Sequence, residues 1–177
     1  MTIPLILTVI SADKPGLVES LAQVINRHGG NWLDSRMARM AGQFAGILRV
    51  DVPAERLADL RAELEQLSSM GIHIQLAVSG QAEEPAQEIL YLHLVGNDRP
   101  GIVHEVSAIL ARHGVNVERL ETRCEPAPMT AEQLFRASAR LSLLPQTDAE
   151  ILRADLENLA DDLMVELSTE DNSQTRD

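Results

Sequence analysis

The feature that most constrains this chain is a repeat. Asp13-Lys14-Pro15-Gly16-Leu17-Val18 returns as Asp98-Arg99-Pro100-Gly101-Ile102-Val103, and at the same 85-residue offset Arg27-His28-Gly29 matches Arg112-His113-Gly114 and Asn31 matches Asn116. Eight of the nineteen positions from Asp13 to Asn31 are identical in the second copy. A period of that length, in a chain of 177 residues, calls for two similar units rather than one large domain.

Each copy opens with a β-rich apolar run, Ile3 to Ile10 and Ile89 to Val95, which ends at Asp-x-Pro-Gly. A helix of about four turns follows. Leu17, Val18, Leu21, Ala22, Val24 and Ile25 repeat at three-to-four spacing, and Ile102, Val103, Val106, Ser107, Ile109 and Leu110 match them. Gly29 and Gly114 fall where a left-handed residue closes a helix. The pattern then changes to period two: Phe44, Gly46, Leu48, Val50 and Val52 in the first copy, Phe135, Ala137, Ala139, Leu141 and Leu143 in the second. Arg136, Ser138, Arg140 and Ser142 alternate with the latter and point to a sheet with one covered face. The offset here has grown to 91, which places a six-residue hairpin extension around Glu125 to Thr130. Second helices carry Leu57, Leu60, Leu64 and Leu67, then Leu152, Leu156, Leu159 and Leu163, with Pro53 and Pro145 near their starts. The last strands hold Ile72 to Val78, and Val165 and Leu167.

This order is βαββαβ twice: an α+β chain of two ferredoxin-like domains, each an antiparallel sheet with both helices on one face. The expected boundaries are 1–80 for the first domain, 81–88 for a polar linker, 89–168 for the second domain and 169–177 for a disordered tail. Open sheet faces and edges tend to pair with a neighbour, so an intramolecular domain pair or a homo-oligomer is expected.

Charge narrows the function. With 27 acidic and 15 basic residues the net charge is −12, the wrong sign for a phosphate backbone, so no direct nucleic-acid contact is expected. Only four aromatic residues are present, Trp32, Phe44, Tyr91 and Phe135, and none lies in a base-stacking motif. No run approaches the ~20 apolar residues of a membrane span, and the single cysteine, Cys124, fits a reducing cytoplasm. The histidines have no metal-ligand spacing; His28 and His113 suit the negative end of a helix. No nucleophile elbow, phosphate loop or cofactor motif occurs, so neither catalysis nor a cofactor is expected.

The remaining chemistry lies in the repeated turn. A helix start offers unbonded N–H groups to a carboxylate, Gly16 and Gly101 permit close approach, and Asp13 and Asp98 could hold an ammonium, a set that suits a small amino acid. The same aspartates would serve equally well as simple turn caps. Asn31 and Asn116 start the next strand, where an amide can bond the turn or a ligand across a domain interface.

The Asp-x-Pro-Gly turn, the helix ending His-Gly and the following Asn resemble the ACT domain, a small-molecule-sensing regulatory module, over both halves from Thr2 to Ser168. Two such domains alone, with Asn31 to Met37 and the proline-containing hairpin, are similar to the glycine cleavage system transcriptional repressor family. The resemblance implies a cytoplasmic regulator that binds glycine or a similar amino acid and acts through a LysR-type transcriptional activator protein. It implies a ligand site at Asp13, Pro15, Gly16, Leu17, Val18 and Asn31, and another at Asp98, Pro100, Gly101, Ile102, Val103 and Asn116. Differences such as Gly30 against Val115 and Leu33 against Glu118 leave room for one site to have lost its ligand. Two alternatives stand beside this reading: a ligand-free structural interaction module, and a regulatory subunit acting in trans on an amino-acid enzyme.

Overall fold

A computed structural model describes residues 1–80, 88–128, 132–159 and 163–169. Chain contacts divide the molecule into Met1–Glu83 and Glu84–Asp177. The expected linker lies almost wholly outside the described residues, as does the tail beyond Thr169.

The first unit runs β1 (Thr2–Ala12), α1 (Leu17–Arg27), β2 (Asn31–Met40), β3 (Gln43–Pro53), α2 (Leu57–Leu67) and β4 (Ile72–Val78). Its sheet order is β2-β3-β1-β4, with every neighbouring pair antiparallel. The second unit repeats this with β5 (Glu88–Asn97), α3 (Ile102–Arg112), β6 (Asn116–Pro126), β7 (Gln133–Leu143), α4 (Ala149–Glu157) and β8 (Leu163–Ser168), in the order β6-β7-β5-β8. Each is the split βαβ arrangement that the hydrophobic periods predict. Ser11 pairs with Phe44 and its counterpart Gly96 pairs with Phe135, so the growth of the offset from 85 to 91 is confined to the hairpin between the middle strands.

The two-residue alternation selects the buried face. Leu48, Val50 and Val52 are buried while Ile47 and Arg49 are exposed, and Leu5, Leu7 and Val9 join them from β1. Leu21, Val24 and Ile25 of α1 and Leu60, Leu64 and Leu67 of α2 complete the core, each leucine contributing about 1.5–3 kcal/mol by leaving water. The second unit builds the same layer from Leu90, Leu92, Leu141, Leu143, Leu152 and Leu156. Ser142 departs from the pattern: alternation turns it away from the core, yet it is buried between Asn116 and Ile89, and among the described residues its hydroxyl has no hydrogen-bond partner.

The first helices are shorter than expected, 11 residues or about three turns. They end as the glycines require: Gly29 and Gly114 adopt φ +69° and +68°, and the next amides, of Gly30 and Val115, donate to the carbonyls of Ile25 and Leu110 at 2.9 Å, a Schellman closure. The fourth helix is also shorter. Asp148 starts it by accepting from the amides of Glu150 and Ile151, and it ends at Glu157, so Leu159 lies beyond it and Leu163 opens β8. Leucines spaced by four satisfied a helical pattern that the chain does not continue.

His28 and His113 do more than face a helix end. The His28 ring sits 2.7 Å from Glu63 on α2, with Arg27 also on that carboxylate, and the His113 ring sits 2.8 Å from Asp155 on α4. Each clamps the two helices of its domain together. His28→Ala removes a hydrogen bond to a charged group that is mostly sheltered, and should lower stability by about 1–2 kcal/mol in urea unfolding.

Candidate functional site

The Asp-x-Pro-Gly segments form matching bends between β1 and α1 and between β5 and α3. Gly16 has φ 88° and ψ 1°, and Gly101 has φ 98° and ψ −10°. These are values for the third residue of a type II turn, with Pro15 and Pro100 in the second position. The prolines therefore shape the turn, and the helices begin at Leu17 and Ile102. The first intrahelical bond of α1 is donated by the Ser20 amide to the Gly16 carbonyl at 2.9 Å, so the Leu17, Val18 and Glu19 amides precede the ladder. Leu17 and Ile102 send their side chains into the cores, while Val18 and Val103 remain half exposed beside the bends. Among the described residues no side chain caps either helix start.

The aspartates are held otherwise. The Asp13 amide donates to Gly42, and its carboxylate forms an ion pair of 2.6 Å with Arg39 of β2. The Asp98 amide donates to Gln133. At the Arg39 position the second unit has Cys124, with the Asp98 carboxylate beside its thiol. Cys124 is exposed as a residue, yet local desolvation first and the Asp98 carboxylate second push its thiol above the ordinary range. Asp13 is thus paired with an arginine, whereas among the described residues the group beside Asp98 is a thiol.

A second difference lies over the bends. The space where a Cβ on Gly16 would stand is open, and Ser20 folds its hydroxyl back onto the Gly16 carbonyl. The residue in the Ser20 position is Glu105, which takes a two-pronged ion pair from Arg99 at 2.9 and 2.6 Å and brings its oxygen to 3.5 Å from the Cβ position of Gly101. The Arg99 hydrogen bond, more than its charge, holds the Glu105 carboxyl below its ordinary value of 4.5, against some desolvation, with His104 adding a smaller effect. A lowered carboxyl stabilises the fold above its ordinary value, and the contribution is lost as pH falls through the folded-state value. The melting difference between the natural chain and Glu105→Gln should therefore shrink as pH drops below about 4.5 in a pH series of thermal melts.

Asn31 and Asn116 are not brought to these bends. The helix carries the chain back along the sheet, so β2 starts where β1 starts. Asn31 faces Asp51, which faces Pro4, whereas Asp13 follows the last rung of β1. Nine residues of strand separate the two levels, roughly 30 Å, and Asn116, Ser142 and Ile89 repeat the geometry. Neither asparagine shares a ligand with the bend of its own domain. Gly30 and Val115 lie at that same far end, and Leu33 and Glu118 at the bulge of the outer strand, so these differences do not touch the bends.

Arg39, Cys124, Ser20, Glu105 and Arg99 were missing from the expected set. The 85-residue offset identifies the first two pairs once it is applied to positions that differ as well as to those that match. Among the described residues no group of three or more metal-ligating side chains occurs, and no helix is long and apolar enough to cross a membrane.

Comparison with known proteins agrees with this duplication. The ACT domain model matches residues 4–77, and a second ACT domain model matches residues 89–155. The glycine cleavage system transcriptional repressor of Escherichia coli is 21% identical over 171 residues, 94% of this chain and 86% of that protein. A protein of unknown function from Galdieria sulphuraria, known from a crystal structure, is 26% identical, with a TM-score of 0.80 over 94% of this chain and 98% of that one. The crystal structure of a candidate glycine cleavage system transcriptional repressor shares the fold at 14% identity, with a TM-score of 0.66 over 95% and 97% of the two chains.

Proposed function

The chain belongs to the ACT-domain family, with two of its domains in tandem, and on that premise we propose that it is an amino-acid-responsive regulator acting through protein contact. The observation that carries this reading is the open bend at Gly16: beyond its chain neighbours, no atom of the described residues stands within 4 Å of the place a Cβ would occupy, and Asp13, the helix-start amides and half-exposed Val18 flank it along the chain. The amides suit the ligand's carboxylate, and an aspartate suits its ammonium. In this reading Asn31 and Asn116 contribute only when presented by a different ACT domain from the one whose bend holds the ligand.

Similarity to the Escherichia coli repressor along 94% of the chain supports glycine as ligand and glycine cleavage as the controlled process. Its charge of −12 favours a protein intermediary over DNA, and the intermediary in this reading is a LysR-type activator. The ligand acts by differential affinity, binding one arrangement of the protein better than another and so shifting the fraction able to hold the partner.

One observation favours the ligand-free scaffold instead: the second bend is bridged by its own Arg99–Glu105 pair. Affinity capture with mass spectrometry, with and without glycine, separates the readings. A LysR-type activator whose recovery changes at least threefold with glycine is the expected result. Equal recovery with and without any amino acid supports the scaffold, and recovery of an amino-acid enzyme supports the subunit acting in trans.

A further inference from the structure

The two domains differ where the first helix overlies the outer strand. In the first, Trp32 and Met37 of β2 pack against the core. At the same offset the second domain has Val117 and Thr122 on β6. The residues opposite change as well: Met37 faces Gly46, and Thr122 faces Ala137. Two large side chains have become two small ones, and their loss leaves a cavity of about 40 Å³ under α3.

Val103, Val106, Val117, Leu120 and Phe135 are among its walls; Ser107 and Thr122 also line it, and the Ser107 hydroxyl is turned back onto the Val103 and His104 carbonyls. Val103, Val117 and Leu120 are 46%, 38% and 50% exposed, so the cavity opens to solvent. Aliphatic and aromatic side chains dominate the walls, so the space suits an apolar group. It holds several times the ~10–15 Å³ a water needs, the scale of a branched side chain of three or four carbons. The cavity adjoins the bend: Ile102 and Val103 follow Gly101 directly, and Phe135 lies across from Cys124, the thiol beside Asp98. Asp98 stands in the turn three residues before Gly101, so an acidic group lies close along the chain to the Ile102 and Val103 wall of an apolar pocket, a pairing that fits an ammonium next to an aliphatic side chain.

We propose that the second domain binds an amino acid with a branched aliphatic side chain, valine or leucine, seating that side chain in the cavity under α3, whereas the first domain fills the equivalent space with its own Trp32 and Met37. This rests on the amino-acid-sensing reading above and adds a division of labour: the duplication has produced one bend without a side-chain pocket and one with it.

The test is methyl NMR on the full chain titrated with valine, then with glycine. Valine should shift the Val117 and Leu120 methyl signals and leave the Trp32 indole signal in place, and glycine should leave those methyls unmoved. Transplanting the first domain's arrangement with Thr122→Met and Ala137→Gly should weaken valine binding at least tenfold. Leu120→Gln, at a half-exposed rim position that the fold tolerates, should weaken it as well. Glycine binding without valine binding overturns the aliphatic pocket and leaves the sensing reading intact; binding of neither overturns both. Valine affinity equal to that of the natural chain in both variants overturns the proposal. So does a concentration-dependent shift of the same methyls without ligand, accompanied by a doubled mass, which assigns the cavity to a second copy of the chain.

Discussion

Gly46→Ala is expected to lower the stability of the first domain by about 2–3 kcal/mol, the upper range for overpacking. A Cβ at Gly46 would overlap the Met37 side chain and stand 2.7 Å from the Arg36 carbonyl oxygen and 3.0 Å from the Met37 Cα. Side chains can rotate away, but two of these neighbours are backbone of β2, so the strand itself must move. The second domain shows how the conflict is relieved, since its alanine at this place faces threonine. Met37→Thr should therefore recover part of the loss in the double variant, with a coupling of about 1 kcal/mol between the paired positions. Urea unfolding of the full chain reads both, with the transition of the second domain serving as an internal reference. A Gly46→Ala loss under about 0.5 kcal/mol would show that the strand spacing is softer than the close pairing with Met37 implies.

Gly16→Trp should abolish amino-acid binding at the first bend, weakening it at least tenfold, or about 1.4 kcal/mol. At φ 88° any side chain strains the backbone, by about 1–3 kcal/mol. The space beyond is empty, so the indole has room to lie over the helix-start amides where the ligand's carboxylate would sit. Gly16→Ala carries the same strain without the bulk. Strong loss with tryptophan and weak loss with alanine is the pattern of a blocked site, whereas equal losses in both would mean that only the shape of the turn matters. Partner capture that survives Gly16→Trp and Gly101→Trp, and ignores every amino acid, would favour the scaffold.

The strands and helices were legible because burial imposes two periods, near 2 and near 3.6, and the sequence keeps both twice. The bends were legible because glycine at a positive φ and proline before it leave a chemical signature. The extent of α4 was not, since Leu159 and Leu163 keep a helical spacing across a turn and the start of a strand. Nor was the position of Asn31. The resemblance groups Asn31 with the bend, but a βαβ crossover returns the chain to the far end of the sheet, roughly 30 Å from the bend of its own domain. The Asp13–Arg39 pair joins residues on a turn and a non-adjacent strand, and the Arg99–Glu105 pair crosses the bend; such contacts depend on strand register and side-chain reach. Comparing the copies where they differ, Arg39 against Cys124 and Ser20 against Glu105, holds more of the site than comparing them where they agree.

Calorimetric titration of the full chain with glycine, serine, valine and leucine at neutral pH probes the sensing claim with no partner needed. Saturable heat with at least one of them, lost on Gly16→Trp or Gly101→Trp, is the predicted result. Flat titrations with all four, from a chain whose melting temperature none of them raises, would contradict it.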